Sequence, residues 1–203
     1  FKRLGVIGDW DNYYSTMSFE AEAQIVRELG KFLLDGSLYQ GFKPVYWSTV
    51  EKTALADAEV EYHNHTSNTI FAAFKVKSTK KDFLKDTNII IWTTTPWTIP
   101  ANRATTYNNS FDYSVIEINE LENFKEKKIV VATELIDSVI KLCEIKNFKV
   151  LKTFKGVEFD GTICSHPFKN LGFEYDVPMF ESRFVTLEQG TGIVHCAPSH
   201  GVD

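Results

Sequence analysis

Cysteine is scarce in this chain and scattered. Cys143, Cys164 and Cys196 make an odd set without a C-x-x-C pair, which excludes a disulfide framework and points to a reducing, cytoplasmic setting. The same scarcity removes the thiolate pair on which zinc sites are commonly built. His63 with His65, Cys164 with His166 and His195 with His200 remain as donor pairs. None reaches a metal-ligand pattern, so no metal and no cofactor is expected. No apolar run approaches the length of a membrane span, so no membrane partner is expected either. An initiating Met and a signal-peptide pattern are both missing from Phe1-Lys2-Arg3-Leu4, as expected of a piece of a longer soluble protein. Positive charge is not in excess: a formal net charge of -5 argues against a strong non-specific hold on nucleic acid. Two catalytic signatures are absent as well. There is no G-x-S-x-G nucleophile elbow, and Gly190-Thr191-Gly192 lacks the third glycine and following helix of a dinucleotide fingerprint.

What the chain does have is apolar and aromatic. Hydrophobic residues make up 43% of it, with 16 Phe among 203 residues, enough for one filled core carrying an attached helical segment. The first segment reads as helical. Ser18 is placed to cap it, Glu20 and Glu22 follow in the first turn, and Ile25, Val26, Leu29, Phe32 and Leu33 recur at helical spacing until Asp35-Gly36. From about residue 44 short β-rich runs take over. Strands are expected over 69–77, 88–94, 113–118, 128–132, 148–154, 157–164, 183–187 and 192–196. Thr133 is placed to cap a second helix with Ile136, Val139, Ile140 and Cys143 on one face. Asp57, Glu59 and Glu61 alternate with apolar neighbours as on a half-buried strand. The expected fold is mostly β with peripheral helices (α+β). It is a partly closed β-barrel over 44–203, preceded by a helical connecting segment over 1–43.

Two stretches concentrate polar chemistry. One is Trp92-Thr93-Thr94-Thr95-Pro96-Trp97-Thr98-Ile99-Pro100-Ala101-Asn102; the other runs Gly190-Thr191-Gly192-Ile193-Val194-His195-Cys196-Ala197-Pro198-Ser199-His200-Gly201-Val202-Asp203. Each leads from an apolar strand into a Pro-bearing turn crowded with hydroxyl, amide or imidazole groups, the pattern of a pocket rim. The threonines admit two readings, β-branched filling at a strand end or a ligand-facing loop. Alternation places Thr93 and Thr95 on one face and Thr94 on the other, and either face could be the one that meets a ligand. His195 also admits two, a satisfied core histidine or a site residue. Its neighbour Cys196 projects to the opposite face of an extended chain, so a Cys-His nucleophile pair is excluded. Such neutral groups suit binding a polar substrate and placing a water against it.

Taken in order, these segments resemble the isoleucyl-tRNA synthetases over nearly the whole chain. Gly5-Val6-Ile7-Gly8-Asp9-Trp10-Asp11-Asn12-Tyr13-Tyr14-Ser15-Thr16-Met17 is similar to the strip leading out of that family's catalytic domain. Lys43-Pro44-Val45-Tyr46-Trp47-Ser48 and Ala54-Leu55-Ala56-Asp57-Ala58-Glu59-Val60-Glu61-Tyr62 are similar to the entry into its inserted editing domain. The two polar stretches resemble the walls of its editing pocket, and the Thr-Thr-Thr-Pro-Trp-Thr form favours the isoleucyl branch over the Thr-Thr-Arg-Pro of valyl and leucyl relatives. The resemblance implies an aminoacyl-tRNA deacylase that removes valine mistakenly joined to the isoleucine tRNA. Its partners would be that tRNA's mischarged 3′ end and the catalytic domain of the same polypeptide. It further implies that Thr93, Thr94 and Thr95 hold the aminoacyl-adenosine end and water. His195 would line the side-chain pocket and exclude the larger amino acid, and Trp92, Trp97, Thr98, Asn102 and Gly192 would complete the substrate site. The family pattern ends in two acidic positions, of which Asp203 matches the first and the second holds the substrate ammonium. No ATP-site signature is present, so the ligase active site is not expected in this chain. A non-catalytic module that docks the tRNA acceptor end or braces a neighbouring domain is the alternative.

Overall fold

The computed structural model describes residues 1–119, 124 and 127–201. The chain divides into two units, Phe1–Lys43 and Pro44–Asp203. In the first, α1 (Phe19–Leu34) starts where the Ser18 side chain accepts a hydrogen bond from the Ala21 amide at 3.3 Å. Glu20 and Glu22 sit in its first turn, where carboxylates favour the positive end of the helix. The helix stops at Asp35, whose carboxylate takes the Ser37 amide, while Gly36 turns the chain at φ 84°. None of its side chains is buried.

The second unit contains β1 (Trp47–Ser48), β2 (Thr53–Ala54), β3 (Ile70–Ser78), β4 (Asn88–Thr93), β5 (Ala104–Tyr107), β6 (Asp112–Ile118) and β7 (Lys128–Ala132). It continues with α2 (Ile136–Leu142), β8 (Phe148–Lys155), β9 (Ile163–Ser165), β10 (Asp176–Glu181) and β11 (Val194–Cys196). The short β1 and β2 pair with each other; the other nine strands form one sheet in the order β11-β5-β10-β9-β3-β4-β7-β6-β8. Neighbours run antiparallel except at β4–β7 and β5–β10.

Period-two alternation explains why the middle strands are apolar throughout. Ile89 and Ile91 of β4, Tyr113 and Val115 of β6 and Val130 and Ala132 of β7 face the main core with Phe74, Phe154 and Phe159. Ile90, Ile116, Ile118, Ile129 and Val131 face the other way, into a second cluster closed by Ile136 and Val139 of α2. The sheet does not close as a barrel ladder. Its β11 end nonetheless curls back, because the Ala132 amide donates to the Thr191 carbonyl at 2.8 Å. Tyr113, fully buried on β6, donates its hydroxyl proton to the Gly192 carbonyl at 2.8 Å and accepts from the Asn108 amide at 3.0 Å. Burial pushes that phenol up to about 12, so it stays a neutral donor. No helix of the described residues is long and apolar enough to cross a membrane.

Several local expectations give way. Residues 156–159 form a 3₁₀ turn in place of a strand start, because Phe159 swings fully into the core against Tyr107 and Tyr113. The 183–187 run forms no strand. The two-residue strands β1 and β2 were not legible, and within the nine-stranded sheet two more were not: β5 is a short polar run that happens to be buried on all four residues, and β10 carries Pro178 in its interior. Thr133 does not cap α2; it opens a 3₁₀ turn and its hydroxyl meets Ser114 at 2.9 Å. Asp57–Glu59 is a 3₁₀ turn, stabilised by Glu59 reaching back to the Ala56 amide at 2.7 Å.

Tyr113→Phe should keep the fold but leave the Gly192 carbonyl and the Asn108 amide without their partner. A loss of about 1–3 kcal/mol is expected in urea unfolding followed by circular dichroism.

Candidate functional site

β4 leaves the sheet at Thr93, and Pro96 forces the chain beyond it into a 3₁₀ turn, Pro96–Ala101. Hydroxyl groups organise this exit. The Thr95 amide donates to the Thr93 hydroxyl at 3.0 Å, and the two hydroxyls stand 3.2 Å apart, on one face as alternation requires. Thr93 is buried, Thr95 half-buried and Thr94 exposed. The Thr94 carbonyl accepts from the Ser67 hydroxyl at 2.7 Å, which ties the loop to the segment before β3. At the end of the turn Asn102 is fully buried.

β11 lies across this exit, antiparallel to β5, with His195 opposite Thr105. It is led there by two glycines in the left-handed region. Gly190 (φ 82°) lets the Trp92 ring lie against the backbone, a Cβ there coming within 3.4 Å of it; at Gly192 (φ 70°) a Cβ would collide with that of Ala132. Between β4, this lead-in and the 184–189 segment opens a cleft of about 350 Å³.

The His195 ring is held at both nitrogens by neutral groups. The Thr98 hydroxyl donates its single proton to the Thr95 carbonyl at 2.8 Å, so it accepts from Nε2–H of His195 at 3.1 Å. Asn102 donates one amide proton to the Ala104 carbonyl at 2.8 Å and presents the other to Nδ1 of His195 at 3.4 Å. Asn102 Oδ1 itself has no partner, so the amide is oriented through its nitrogen alone. These bonds specify a neutral imidazole protonated on Nε2. Burial lowers its pKa from the ordinary value, and His166 and His200 lower it further. No carboxylate contacts the ring among these partners. The ring therefore lines the cleft with fixed orientation and polarity.

The structure brings Trp92, Thr93, Thr94, Thr95, Thr98, Gly192 and His195 together around the cleft. Asn102 stands behind His195. Trp97 does not join them: the residue is 68% exposed and absent from the lining. Asp203 lies outside the described residues. Phe184, Thr186, Gln189 and His200 line the cleft too. Of these, Phe184 and Thr186 escaped sequence reading because 183–187 scans as a strand, Gln189 carried no signal, and His200 stood in the second polar stretch without an assigned role. Among the described lining residues there is no Asp, Glu, Lys or Arg. Among the described residues no three His, Cys, Asp or Glu side chains stand together as metal ligands would.

The family model for class I tRNA synthetases (I, L, M and V) matches residues 1–181. Isoleucine--tRNA ligase of Pelagibacter ubique is 70% identical over all 203 residues, which cover 22% of its length. That of Gluconobacter oxydans is 49% identical, with 100% of this chain and 22% of the relative covered. The chain thus spans about a fifth of the curated relatives it matches. The crystal structure of GlLeuRS-CP1 superposes with a TM-score of 0.50 at 12% identity, covering 64% of this chain and 55% of that one. The editing domain of the P. knowlesi cytosolic leucyl-tRNA synthetase superposes with a TM-score of 0.50 at 14% identity, covering 64% and 56%. At such identity the likeness shows the fold, which is that of these domains.

The two buried imidazoles make a pH dependence expected. His195 and His166 both have pKa values lowered below 6.5 in the folded chain, chiefly by burial. As pH falls below about 6.5 the unfolded chain binds more protons than the folded one, so stability falls with acidification and is regained above that value. Urea midpoints from pH 5 to 7.5 should show this slope. A His195→Gln variant should show a shallower one.

Proposed function

Because the chain belongs to the class I tRNA synthetases (I, L, M and V), we propose that its 44–203 unit is an editing domain that hydrolyses valine from mischarged isoleucine tRNA. Its partners on this reading are the 3′ end of that tRNA and the catalytic domain of the same polypeptide, to which the 1–43 segment connects. The observation that carries the proposal is the cleft itself, lined by Thr93, Thr95, Thr98 and a neutral His195 whose N–H is held by Thr98, so that it offers oriented hydroxyl groups without an activated nucleophile.

A second sieve is needed for a physical reason. One methylene in an apolar pocket is worth only about 1–3 kcal/mol, a limit for which isoleucine against valine is the standing illustration. On this reading the threonine hydroxyls hold the terminal adenosine and a water. The water oxygen adds to the ester carbonyl carbon, the bond from that carbon to the ribose oxygen breaks, and the ribose oxygen takes up a proton. Valine and uncharged tRNA leave. The neighbouring ribose hydroxyl assists the proton transfer, which removes the need for a strong protein base. The resemblance assigns the substrate ammonium to the second of the family's two acidic positions, of which Asp203 matches the first. Deacylation of valyl- and isoleucyl-tRNA by the full-length polypeptide is the test. Equal rates would sink the sieve, and saturable binding of a valyl-adenosine analogue without turnover would favour a docking module.

Two substitutions sharpen the reading. Thr94→Arg, at an exposed position of the cleft wall, should block entry and abolish deacylation while the circular dichroism spectrum stays unchanged. His195→Ala should let isoleucine in, shifting the isoleucine-to-valine deacylation ratio upward by roughly ten- to 200-fold. Parallel loss on both substrates would instead assign His195 a general-base role.

A further inference from the structure

His195 is oriented by two groups that do not belong to its own strand. Thr98 and Asn102 sit on and just after the 3₁₀ turn Pro96–Ala101, and a short turn of this kind has little to hold its angle by itself. The turn is fastened from behind by a remote element. β9 and β10 are antiparallel, with Ser165 opposite Asp176, so the next residues outward, His166 and Tyr175, face each other across the hairpin. Their ring centroids stand 5.2 Å apart.

Each makes hydrogen bonds into the turn. His166 donates Nε2–H to the Ile99 carbonyl at 2.9 Å and accepts the Phe168 amide on Nδ1 at 3.0 Å. The Tyr175 hydroxyl lies 2.7 Å from the Asn102 carbonyl and 3.2 Å from that of Pro100. The two residues therefore fix the Ile99 and Asn102 carbonyls of the segment that delivers Thr98 and Asn102, with the Pro100 carbonyl sharing the Tyr175 proton at longer range. His166 is 2% exposed, stacked on Phe173 and edge-on to Phe168 and Phe74, and Arg103 covers the Tyr175 ring at 4.3 Å. Apolar packing alone would need neither its polar atoms nor the Tyr175 hydroxyl.

We propose that His166 and Tyr175 are positioning residues for His195, holding the 96–102 turn at the angle that lets Thr98 and Asn102 engage both imidazole nitrogens. Neither lines the cleft. Their influence on selectivity rests on the editing function proposed above; their influence on the His195 ring does not.

The test reads the ring directly. Ring-nitrogen NMR of the chain at neutral pH should show His195 with a protonated Nε2 and an unprotonated Nδ1. In Tyr175→Phe, which keeps the ring and removes only the hydroxyl, and in His166→Gln, the two nitrogen signals should move toward each other as the opposite tautomer gains population. In the full-length polypeptide the same variants should lower the valine-to-isoleucine deacylation ratio by roughly three- to tenfold, the range one net hydrogen bond commands. Val139→Ala, in the cluster under α2, is the control for general loosening, and its His195 signals should match the parent's. Unchanged signals in both test variants would overturn the proposal, as would an equal change in Val139→Ala. If the full-length polypeptide deacylates neither substrate, the editing reading fails, and the ring spectra decide the positioning role by themselves.

Discussion

The candidate site depends on one chain of neutral hydrogen bonds. It runs from the Thr95 carbonyl through the Thr98 hydroxyl to Nε2 of His195, and from Nδ1 through the Asn102 amide to the Ala104 carbonyl. Every donor in it has a committed direction, because the threonine hydroxyl has one proton and the asparagine amide two. Reversing the imidazole would face Nδ1–H with an amide donor, at a cost comparable to an unmet buried hydrogen bond. The ring is therefore held neutral and oriented without a carboxylate partner. A carboxylate there would have raised the imidazole pKa and made it a base. Amide and hydroxyl partners leave it a wall.

The sheet supplies the two ends of that chain from opposite directions. β4 is central, buried on both faces, and so has little freedom to shift; the turn after it inherits its position. β11 reaches the same place through β5, which in turn runs parallel to β10. The curl that carries the 190–193 lead-in back to β6 and β7 is secured by the Tyr113 hydroxyl and the Ala132 amide. Local and long-range constraints agree at this point, as expected where side chains must be placed to within a fraction of an ångström.

Legibility in the sequence followed burial. Strands β3, β4, β6, β7 and β8 showed themselves because their apolar residues alternate or run continuously; both helical patterns form helices, but only α2 buries residues of its apolar face, Ile136 and Val139. β5 and β10 did not, since Ala104-Thr105-Thr106-Tyr107 looks like a turn and Pro178 argues against a strand interior. The 183–187 run is apolar enough to imitate a strand, yet residues 184 and 186 line the cleft. The polar stretches pointed to Thr93, Thr95 and His195, and alternation correctly separated Thr94 from its neighbours. Trp97 was drawn in by the resemblance, and the structure leaves it largely exposed and outside the cleft lining. His166 and Tyr175 carry no local signal. Their contribution comes from a hairpin whose second strand was itself hidden.

Gly192 and Ala132 share a space too small for one more carbon, and they come from elements far apart in the chain. Each of the two positions limits what the other can hold. A side chain appearing at 192 would have to be preceded by loss of the methyl at 132, and the backbone would still resist it at φ 70°. Among descendants of this sequence the two positions are thus expected to drift together or not at all, with the glycine the slower of the two. The wall of the cleft then owes its persistence to a steric veto exercised from the core side, independent of any ligand that the cleft receives.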